Sequence, residues 1–333
     1  MTARPMLSVV IPVRNEDAVL PEFHRRLVAA IEPIRGDLEV IYVDDGSVDR
    51  TRQLLELASQ LDPRVGYVCL SRNFGKEAAT SAGLQHARGE ATVVIDGDLQ
   101  DPPELIPSMI AAWRGGADVV NMRRRSRAGE SWLKRATAGG FYRLMNRVSE
   151  VPIPVDTGDF RLLSRRAVDA LNALPERNRV MKGLFAWIGF NQATIEYDRS
   201  ARAAGKSNWQ YWKLWNLALE GFTGFSVAPL KIATYVGFAT AATAFLFAGY
   251  MIAKTLVFGE QVRGFPTLIA VISFLGGLQL MAIGVLGEYV ARLFVEAKGR
   301  PLYLVDKFHA PAQAATQPSN VKHVAQAFGS PLT

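Results

Sequence analysis

Val93-Val-Ile-Asp-Gly-Asp-Leu-Gln-Asp-Pro-Pro-Glu104 is the stretch from which the rest of the chain reads outward. Apolar Ala91, Val93, Val94 and Ile95 form a short buried strand, and at its end Asp96 and Asp98 straddle Gly97. Carboxylates spaced i, i+2 at a strand end project into one crevice when the glycine between them lets the chain turn sharply. Two hard oxygen donors there suit a divalent cation that keeps open positions for substrate phosphates, as Mg²⁺ or Mn²⁺ does. Gln100 and Asp101 lie close enough to help, and Pro102-Pro103 stiffens the exit and starts the next helix. Taken alone, the triplet reads more simply as an Asx-rich turn capping that helix. Its neighbours decide between the two.

Outward from this stretch the chain alternates strand and helix patterns. Leu7-Ser-Val-Val-Ile-Pro12 reads as an apolar strand, followed by Val13-Arg-Asn-Glu16 and a helical pattern over residues 17–32. Leu38-Glu-Val-Ile-Tyr-Val43 is a second strand ending in Asp44-Asp-Gly-Ser47, and Asp49 leads into a helix with apolar Leu54, Leu57, Ala58 and Leu61. Residues 65–70 form the third strand, 75–87 the third helix, and 118–122 a further strand. This alternation predicts an α/β fold with a parallel, helix-flanked sheet, whose ligands bind at the carboxyl ends of the strands. Asn15-Glu16, Asp44-Asp45 and Asp96-Asp98 fall at three such ends, which points to a shared crevice.

The 333 residues are 49% hydrophobic, enough for a substantial core. A formal charge of +7 suggests an anionic partner: nucleic acid, phospholipid or a phosphorylated substrate. The single cysteine, Cys69, excludes an internal disulfide and is expected to be buried and inert. The N-terminus moves directly into a strand with no cleavable signal pattern. His24, His86 and His309 are scattered and read as surface residues, and no His/Cys zinc spacing is present.

Residues 232–252 are 21 positions without a formal charge, and residues 265–286 are 22 whose only strongly polar side chain is Gln279. Each is long enough to cross roughly 30 Å of hydrocarbon as a helix. Only Gly259-Glu-Gln-Val-Arg-Gly264 separates them, so they are expected to form a transmembrane hairpin. Lys213, Lys231, Arg292, Lys298 and Arg300 flank the outer ends, whereas the turn carries only Arg263, with Lys254 just before it. The positive-inside bias then places both termini and the preceding domain in the cytoplasm. Two further segments look interfacial: residues 132–148, where Trp132, Phe141 and Leu144 mix with Lys134, Arg135 and Arg143, and the aromatic run Trp209-Gln-Tyr-Trp-Lys-Leu-Trp-Asn-Leu217. The expected organisation is an α/β domain over residues 1–225, including interfacial helices at about 130–149 and 207–225, a hairpin over 226–296, a strand segment over 297–309 and a disordered tail over 310–333.

Five motifs occur in order: Val-Ile-Pro-Val-Arg-Asn-Glu (10–16), Val-Asp-Asp-Gly-Ser (43–47), Ser-Arg-Asn-Phe-Gly-Lys-Glu (71–77), Asp-Gly-Asp-Leu-Gln-Asp-Pro-Pro-Glu (96–104) and Asp-Thr-Gly-Asp-Phe-Arg-Leu (156–162). With the paired apolar segments that follow, residues 7–307 resemble the family 2 glycosyltransferases of GT-A fold. Within them the likeness is to the polyprenyl-phosphate glycosyltransferases, dolichol-phosphate mannose synthases and above all bactoprenol glucosyltransferases. The resemblance implies a Rossmann-like GT-A domain with a mostly parallel sheet, interfacial amphipathic helices and two transmembrane helices. It implies inverting transfer of one hexose, glucose, from a UDP-sugar to undecaprenyl phosphate at the cytoplasmic leaflet. Partners are then the UDP-sugar, the polyprenyl phosphate and membrane lipid, without nucleic acid. Relatives form tetramers through a C-terminal piece, and Arg300-Pro-Leu-Tyr-Leu-Val305 reads as the corresponding edge strand.

By the same resemblance Pro12, Glu16 and Asp45 cradle the nucleotide, with an Asp carboxylate accepting from a uracil N–H. Asp96 approaches the ribose and the metal, while Asp98 and Gln100 help hold Mg²⁺ or Mn²⁺ against the diphosphate. Asp159 is the candidate base and Arg161 a phosphate ligand, with Asp156 delivered beside them by the prolines and Gly158 of residues 151–158. Ser71-Arg-Asn-Phe-Gly-Lys76 opens a helix, so its amides with Arg72 or Lys76 suit an anion, the alternative being a solvated basic loop. Arg202-Ala-Ala-Gly-Lys-Ser-Asn-Trp209 has Ser200 where a phosphate loop needs its first glycine. Relatives carry Lys where this chain has Asn208, and Lys206 is the candidate substitute.

The chemistry itself sharpens one role. A phosphate monoester has its second pKa near ~6 and is largely ionised at neutral pH, so it needs no strong base. Asp159 is then expected to position groups, with Arg161 and the metal offsetting phosphate repulsion. The other readings are a transferase using a mannose, GlcNAc or aminoarabinose donor, a processive polysaccharide synthase, and a nucleotide-sugar-binding scaffold without turnover. Two spanning helices are too few for an export channel, and no Gln-x-x-Arg-Trp run is present to hold a growing polymer.

Overall fold

β1 (Leu7–Val13) is a nearly continuous apolar run buried on both faces, as the centre of a helix-covered parallel sheet requires. The computed structural model describes residues 4–125, 157–177, 179–198, 228–258 and 264–312. After β1 come α1 (Leu20–Ile31), β2 (Leu38–Asp44), α2 (Thr51–Leu61), β3 (Val65–Leu70), α3 (Lys76–His86) and β4 (Ala91–Val94). A short 3₁₀ turn, Pro103–Leu105, then precedes α4 (Ile106–Arg114) and β5 (Val119–Arg124). The chain continues with β6 (Thr157–Ser164), α5 (Arg165–Ala173), α6 (Met181–Trp187), β7 (Gln192–Tyr197), α7 (Ala228–Phe258), α8 (Phe265–Ala297) and β8 (Val305–His309).

One eight-stranded sheet has the order β7-β5-β6-β4-β1-β2-β3-β8. Its centre is parallel, with Val13 beside Asp44 and Val10 beside Val94, so the carboxyl ends of β1, β2 and β4 finish together. The expected parallel sheet is therefore present, but it is mixed: β6 runs antiparallel to both β4 and β5, and β8 antiparallel to β3. Leu7, Val9 and Ile11 pack with Phe23, Leu27 and Ile31 of α1, Leu55 of α2 and Ile106 of α4 in one core layer. On the opposite face α3 sits close, because its buried side is built from Ala78, Ala79, Ala82 and Gly83. A Cβ on Gly83 would lie 2.2 Å from Val10 Cγ1 and 3.1 Å from Val43 Cγ2. The glycine is what lets this helix approach the sheet.

Several sequence expectations change here. His24 is a core residue, 1% exposed, with Nδ1 2.8 Å from the Tyr42 hydroxyl. Burial pushes its pKa down to about 4, so the ring is neutral at pH 7. It shares the inward stripe of Leu20, Phe23, Leu27, Val28 and Ile31 on α1. The edge strand is Val305–His309 and begins where the expected one ends. The Leu304 carbonyl accepts from the Ser71 amide, while Asp306 and Lys307 pair with Arg52 and Glu56 of α2. Cys69 is fully buried as expected, and burial raises its thiol to about 11, well away from reactivity.

Residues 228–300 belong to a separate compact unit. Within it α7 and α8 contact each other. Phe274–Ala297 of α8 is long and apolar enough to cross a membrane, and the described apolar stretch of α7, Ile232–Phe247, is shorter. Tyr235, Phe238, Phe245, Leu246, Phe274 and Leu280 are exposed. The expected interfacial helices at 130–149 and 207–225 and the tail beyond residue 312 lie outside the described residues.

Gly83→Ala tests the seating of α3. Ala gains about 1 kcal/mol of helix propensity, but a 2.2 Å contact in the core makes overpacking win, with an expected net loss of about 2 kcal/mol. Thermal unfolding of the variant checks this, and an unchanged melting temperature would contradict the close approach.

Candidate active site

Three strand ends supply the site. Pro12, Val13, Arg14, Glu16, Asp45, Lys76, Ala79, Asp96, Gly97 and Asp98 line a crevice of about 300 Å³ at the carboxyl ends of β1, β2 and β4. The shared crevice expected from the sequence is present, and Pro12, Glu16, Asp45, Lys76, Asp96 and Asp98 meet in it. Its first two loops are knitted together. The Asn15 amide donates to Ser47 Oγ, the Val48 amide to Asn15 Oδ1, and the Glu16 amide to Thr51 Oγ1.

Asp45 does something the sequence did not indicate. Its carboxylate accepts from the Phe74 amide at 2.7 Å and the Gly75 amide at 3.0 Å. It thereby holds the start of α3, where the helix dipole favours a negative charge. Burial nevertheless pushes its pKa above the ordinary value, the two amides opposing. Gly75 has φ +98°, a conformation that only glycine adopts without strain, and the first helical residue after it is Lys76. Asp45 and Gly75 thus fix where Lys76 enters the crevice. Arg72, by contrast, is exposed, with its guanidinium 4.3 Å from the Phe74 ring centroid.

The turn after β4 is not made by Gly97, whose φ is not among the positive values, but by Leu99 at φ +61°. A left-handed leucine costs about 1–2 kcal/mol, which its side chain, 7% exposed in the core, helps to offset. Gly97 matters for space, since a Cβ there would come within 3.0 Å of Val13 Cγ1. Asp98 Oδ1 accepts from the Gln100 amide, the Asx turn that was the simpler reading of this triplet. Beyond it Asp101 is fully buried and accepts from the Tyr197 hydroxyl of β7.

β6 is irregular at Asp159, where its register against β5 shifts between Arg161, paired with Asn121, and Thr157, paired with Arg123, and the N-cap of the following helix is Ser164. Asp159 and Arg161, two apart, share the α3-side face, while Phe160 and Leu162 enter the opposite core layer. Ala91 pairs with Ser164 and Val94 with Arg161, the last pair of this ladder, and Asp96 and Asp159 lie two residues beyond it on the two chains. Two facing carboxylates repel. Lys76 lies between them, its Nζ 2.7 Å from Asp96 and 2.5 Å from Asp159. Lys76 is therefore committed to two carboxylates and is not a free anion site as expected. Burial opposes its charge, but the carboxylates of Asp96 and Asp159 outweigh it and hold its pKa above the ordinary value.

The surrounding electrostatics follow from burial and neighbours. Burial of Asp159 opposes ionisation, yet Lys76, Lys182 and Arg161 bring its pKa down to about 2. Burial raises Asp96, with Lys76 opposing. Arg161 is 3% exposed and stacks 3.8 Å from the Phe185 ring centroid, with Nη2 donating to the Gly158 carbonyl. Burial lowers it to about 10, which leaves it charged at neutral pH. Glu77, to which the sequence reading assigned no role although its motif was singled out, accepts from the Met181 amide at 3.3 Å. Burial, then the Asp159 charge, raise its pKa to about 7.

Asp96, Asp98 and Gln100 fit a hard divalent cation as far as donor chemistry goes. All three offer oxygen, and Gln100 Oε1 is buried without a partner among the described residues. Among the described residues no group of three or more His, Cys, Asp or Glu side chains forms a complete cage. Such a site needs substrate phosphates to complete it, as Mg²⁺ sites commonly do. Asp156 and Lys206 lie outside the described residues.

Glu77→Gln reports on this environment. A carboxyl raised from 4.5 to about 7 adds stability below pH 4.5 that is lost as pH rises through 7. The variant should gain on the order of 2 kcal/mol over the unaltered protein at pH 8 and nothing at pH 4. Chemical denaturation at the two pH values measures it, and equal differences at both would refute the raised carboxyl.

Comparison with known proteins bears on what this crevice serves. The glycosyl transferase family 2 model matches residues 8–171, and the GtrB C-terminal hairpin model matches residues 228–293. An uncharacterized glycosyltransferase of Synechocystis sp. is 48% identical over 299 residues, which are 90% of this chain and 94% of that one. The SfII prophage-derived bactoprenol glucosyl transferase of Shigella flexneri is 46% identical over 303 residues, 91% of this chain and 98% of that one. An uncharacterized glycosyltransferase of Bacillus subtilis is 41% identical over 307 residues, 92% and 95% of the two chains. Similarity thus runs through both the α/β unit and the α7–α8 pair at nearly full length, and the chain belongs to the family 2 glycosyltransferases that carry the GtrB C-terminal hairpin.

Proposed function

We propose that this protein transfers one glucose, with inversion, from UDP-glucose to undecaprenyl phosphate at the cytoplasmic face of the inner membrane. The observation that carries the reading is a crevice lined by Asp96 and Asp98, with Asp96 and Asp159 brought together on Lys76. Relatives named bactoprenol glucosyl transferases, 46% identical over nine-tenths of the chain, support glucose and a polyprenyl phosphate over the other donors and acceptors.

In this reading Pro12, Glu16 and Asp45 border the nucleotide, Asp45 mainly by fixing the Phe74-Gly75 turn. Asp96, Asp98 and Gln100 would hold Mg²⁺ or Mn²⁺, which when bound offsets the charge gathering on the departing diphosphate. Asp159 does not serve as a strong base. A carboxylate with its pKa at about 2 takes up a proton poorly, and the acceptor phosphate is already an anion. Its work is to hold Lys76 and to balance Arg161, whose buried, stacked guanidinium presents a fixed positive charge to the acceptor phosphate. Asp156 and Lys206 would add to the acceptor side.

The lipid-borne acceptor requires the crevice to work beside a bilayer. The exposed apolar side chains of α7 and α8 and the apolar length of Phe274–Ala297 support a two-helix membrane hairpin. The distribution of lysine and arginine supports cytoplasmic termini. The segments at 130–149 and 207–225 would lie in the headgroup zone. β8 is the last strand of the sheet, so its outer edge suits assembly into a homotetramer.

Radiolabel transfer from UDP-glucose into organic-extractable lipid, dependent on Mg²⁺ or Mn²⁺, tests the reading, with other UDP-sugars and GDP-mannose as competitors. Asp98→Ala and Asp96→Ala should each lower the rate by about 10²-fold or more. Asp159→Asn should keep a measurable residual rate. An undiminished rate in the Asp96→Ala/Asp98→Ala double variant would end the proposal, and complete loss in Asp159→Asn with both substrates still bound would restore an obligatory base.

A further inference from the structure

Given the transfer reaction proposed above, we infer that Lys76 is a placeholder cation, competing with the divalent ion for Asp96 and thereby coupling donor binding to acceptor binding. Both oxygens of Asp96 lie 2.7 Å from Lys76 Nζ. Asp96 therefore cannot ligate a metal and keep its ammonium partner in this position. Asp98, two residues on, has no such competitor: its Oδ1 accepts only a backbone amide among the bonds of the described residues. The competition falls on one carboxylate of the proposed pair.

The residue is built to exchange partners. Its Cα is anchored through Gly75 and the Asp45 bonds to the amides before it. Its side chain keeps 43% of its surface, against 20% for each of the carboxylates it bridges. The need for a cation here comes from the end of the β4–β6 ladder, two residues beyond the Val94–Arg161 pair, where Asp96 and Asp159 come close enough to share one ammonium. A divalent ion at Asp96 would satisfy that carboxylate in place of Lys76. The ammonium would then remain with Asp159 alone, next to the buried Arg161. Positive charge that was shared between two carboxylates becomes available on the acceptor side, where a phosphate monoester must dock. Donor and acceptor binding are then linked, and the linkage is reciprocal. A static ion pair serving only to hold β4 and β6 together would produce no such linkage.

The test uses the full-length protein in detergent, with Mn²⁺ alone, Mn²⁺ plus UDP, and farnesyl phosphate as probes. Mn²⁺ binding is followed by the electron paramagnetic resonance of the free ion, and farnesyl phosphate binding by calorimetry. Lys76→Met should bind Mn²⁺ without nucleotide about tenfold more tightly, because a competing charge is gone. In the unaltered protein saturating Mn²⁺–UDP should tighten farnesyl phosphate binding about fivefold or more, and in Lys76→Met this gain should vanish. Lys76→Met/Asp159→Asn compared with Asp159→Asn alone repeats the metal comparison without the unbalanced facing charges, should the single variant fold poorly. Unchanged or weaker Mn²⁺ binding on loss of Lys76, or coupling that survives it, overturns the inference and leaves the proposed reaction intact. Absence of Mn²⁺ binding by the unaltered protein, even with UDP, overturns both.

Discussion

Register is the constraint on which the site depends. Parallel pairing of β1 with β2 and with β4 ends three strands at one level, and antiparallel pairing of β4 with β6 brings a fourth chain segment back to it. Because side chains alternate across a strand, this pairing also decides which residues enter the crevice. Val94 and Asp96 point to the α3 side, as do Asp159 and Arg161, while Val93, Ile95, Phe160 and Leu162 fill the other core layer. A slip of one residue between β4 and β6 would exchange these sets and bury the carboxylates in the hydrophobic layer. The apolar layer and the charged crevice are specified by the same ladder.

That ladder creates an electrostatic problem, and α3 answers it. Two carboxylates facing each other on adjacent strands are unfavourable, so a cation must reach them from outside the sheet. α3 provides one because its small-residue face seats it tightly against β1 and β2, and because Asp45 ties down the turn before it. The result is a cluster in which burial and charge work against each other. Asp159 ionises readily because cations surround it, whereas Glu77, one residue along from Lys76, holds its proton to near neutrality because burial dominates. Neighbouring carboxyls thus differ widely in acidity for reasons visible in the packing.

The helical pair of residues 228–297 obeys a different logic. In the α/β unit apolar side chains are buried against the sheet. In α7 and α8 large apolar side chains such as Phe238, Phe245 and Phe274 are left exposed. Exposed apolar surface on this scale marks a partner or a lipid environment.

Much of this was legible in the sequence. Apolar runs broken by acidic strand ends were enough to indicate the helix-flanked sheet, the limits of its first five strands to within about two residues, and the crevice that gathers Pro12, Glu16, Asp45, Asp96 and Asp98. These features are local: a strand's hydrophobicity and the polar residue that ends it sit next to each other in the chain. What the tertiary structure decided is pairing between distant segments. That Asp96 faces Asp159, that Lys76 is held by both instead of waiting for an anion, and that Asp45 holds backbone amides all depend on register and helix seating. His24 was misjudged because its polarity was weighed above its position on the buried stripe of α1. The turn at Leu99 escaped notice because glycine is the usual residue for a left-handed backbone, and only the packing of that leucine in the core makes the strained conformation tolerable. Composition and order name the groups brought to the site, and the geometry of the sheet determines which of them neutralise one another.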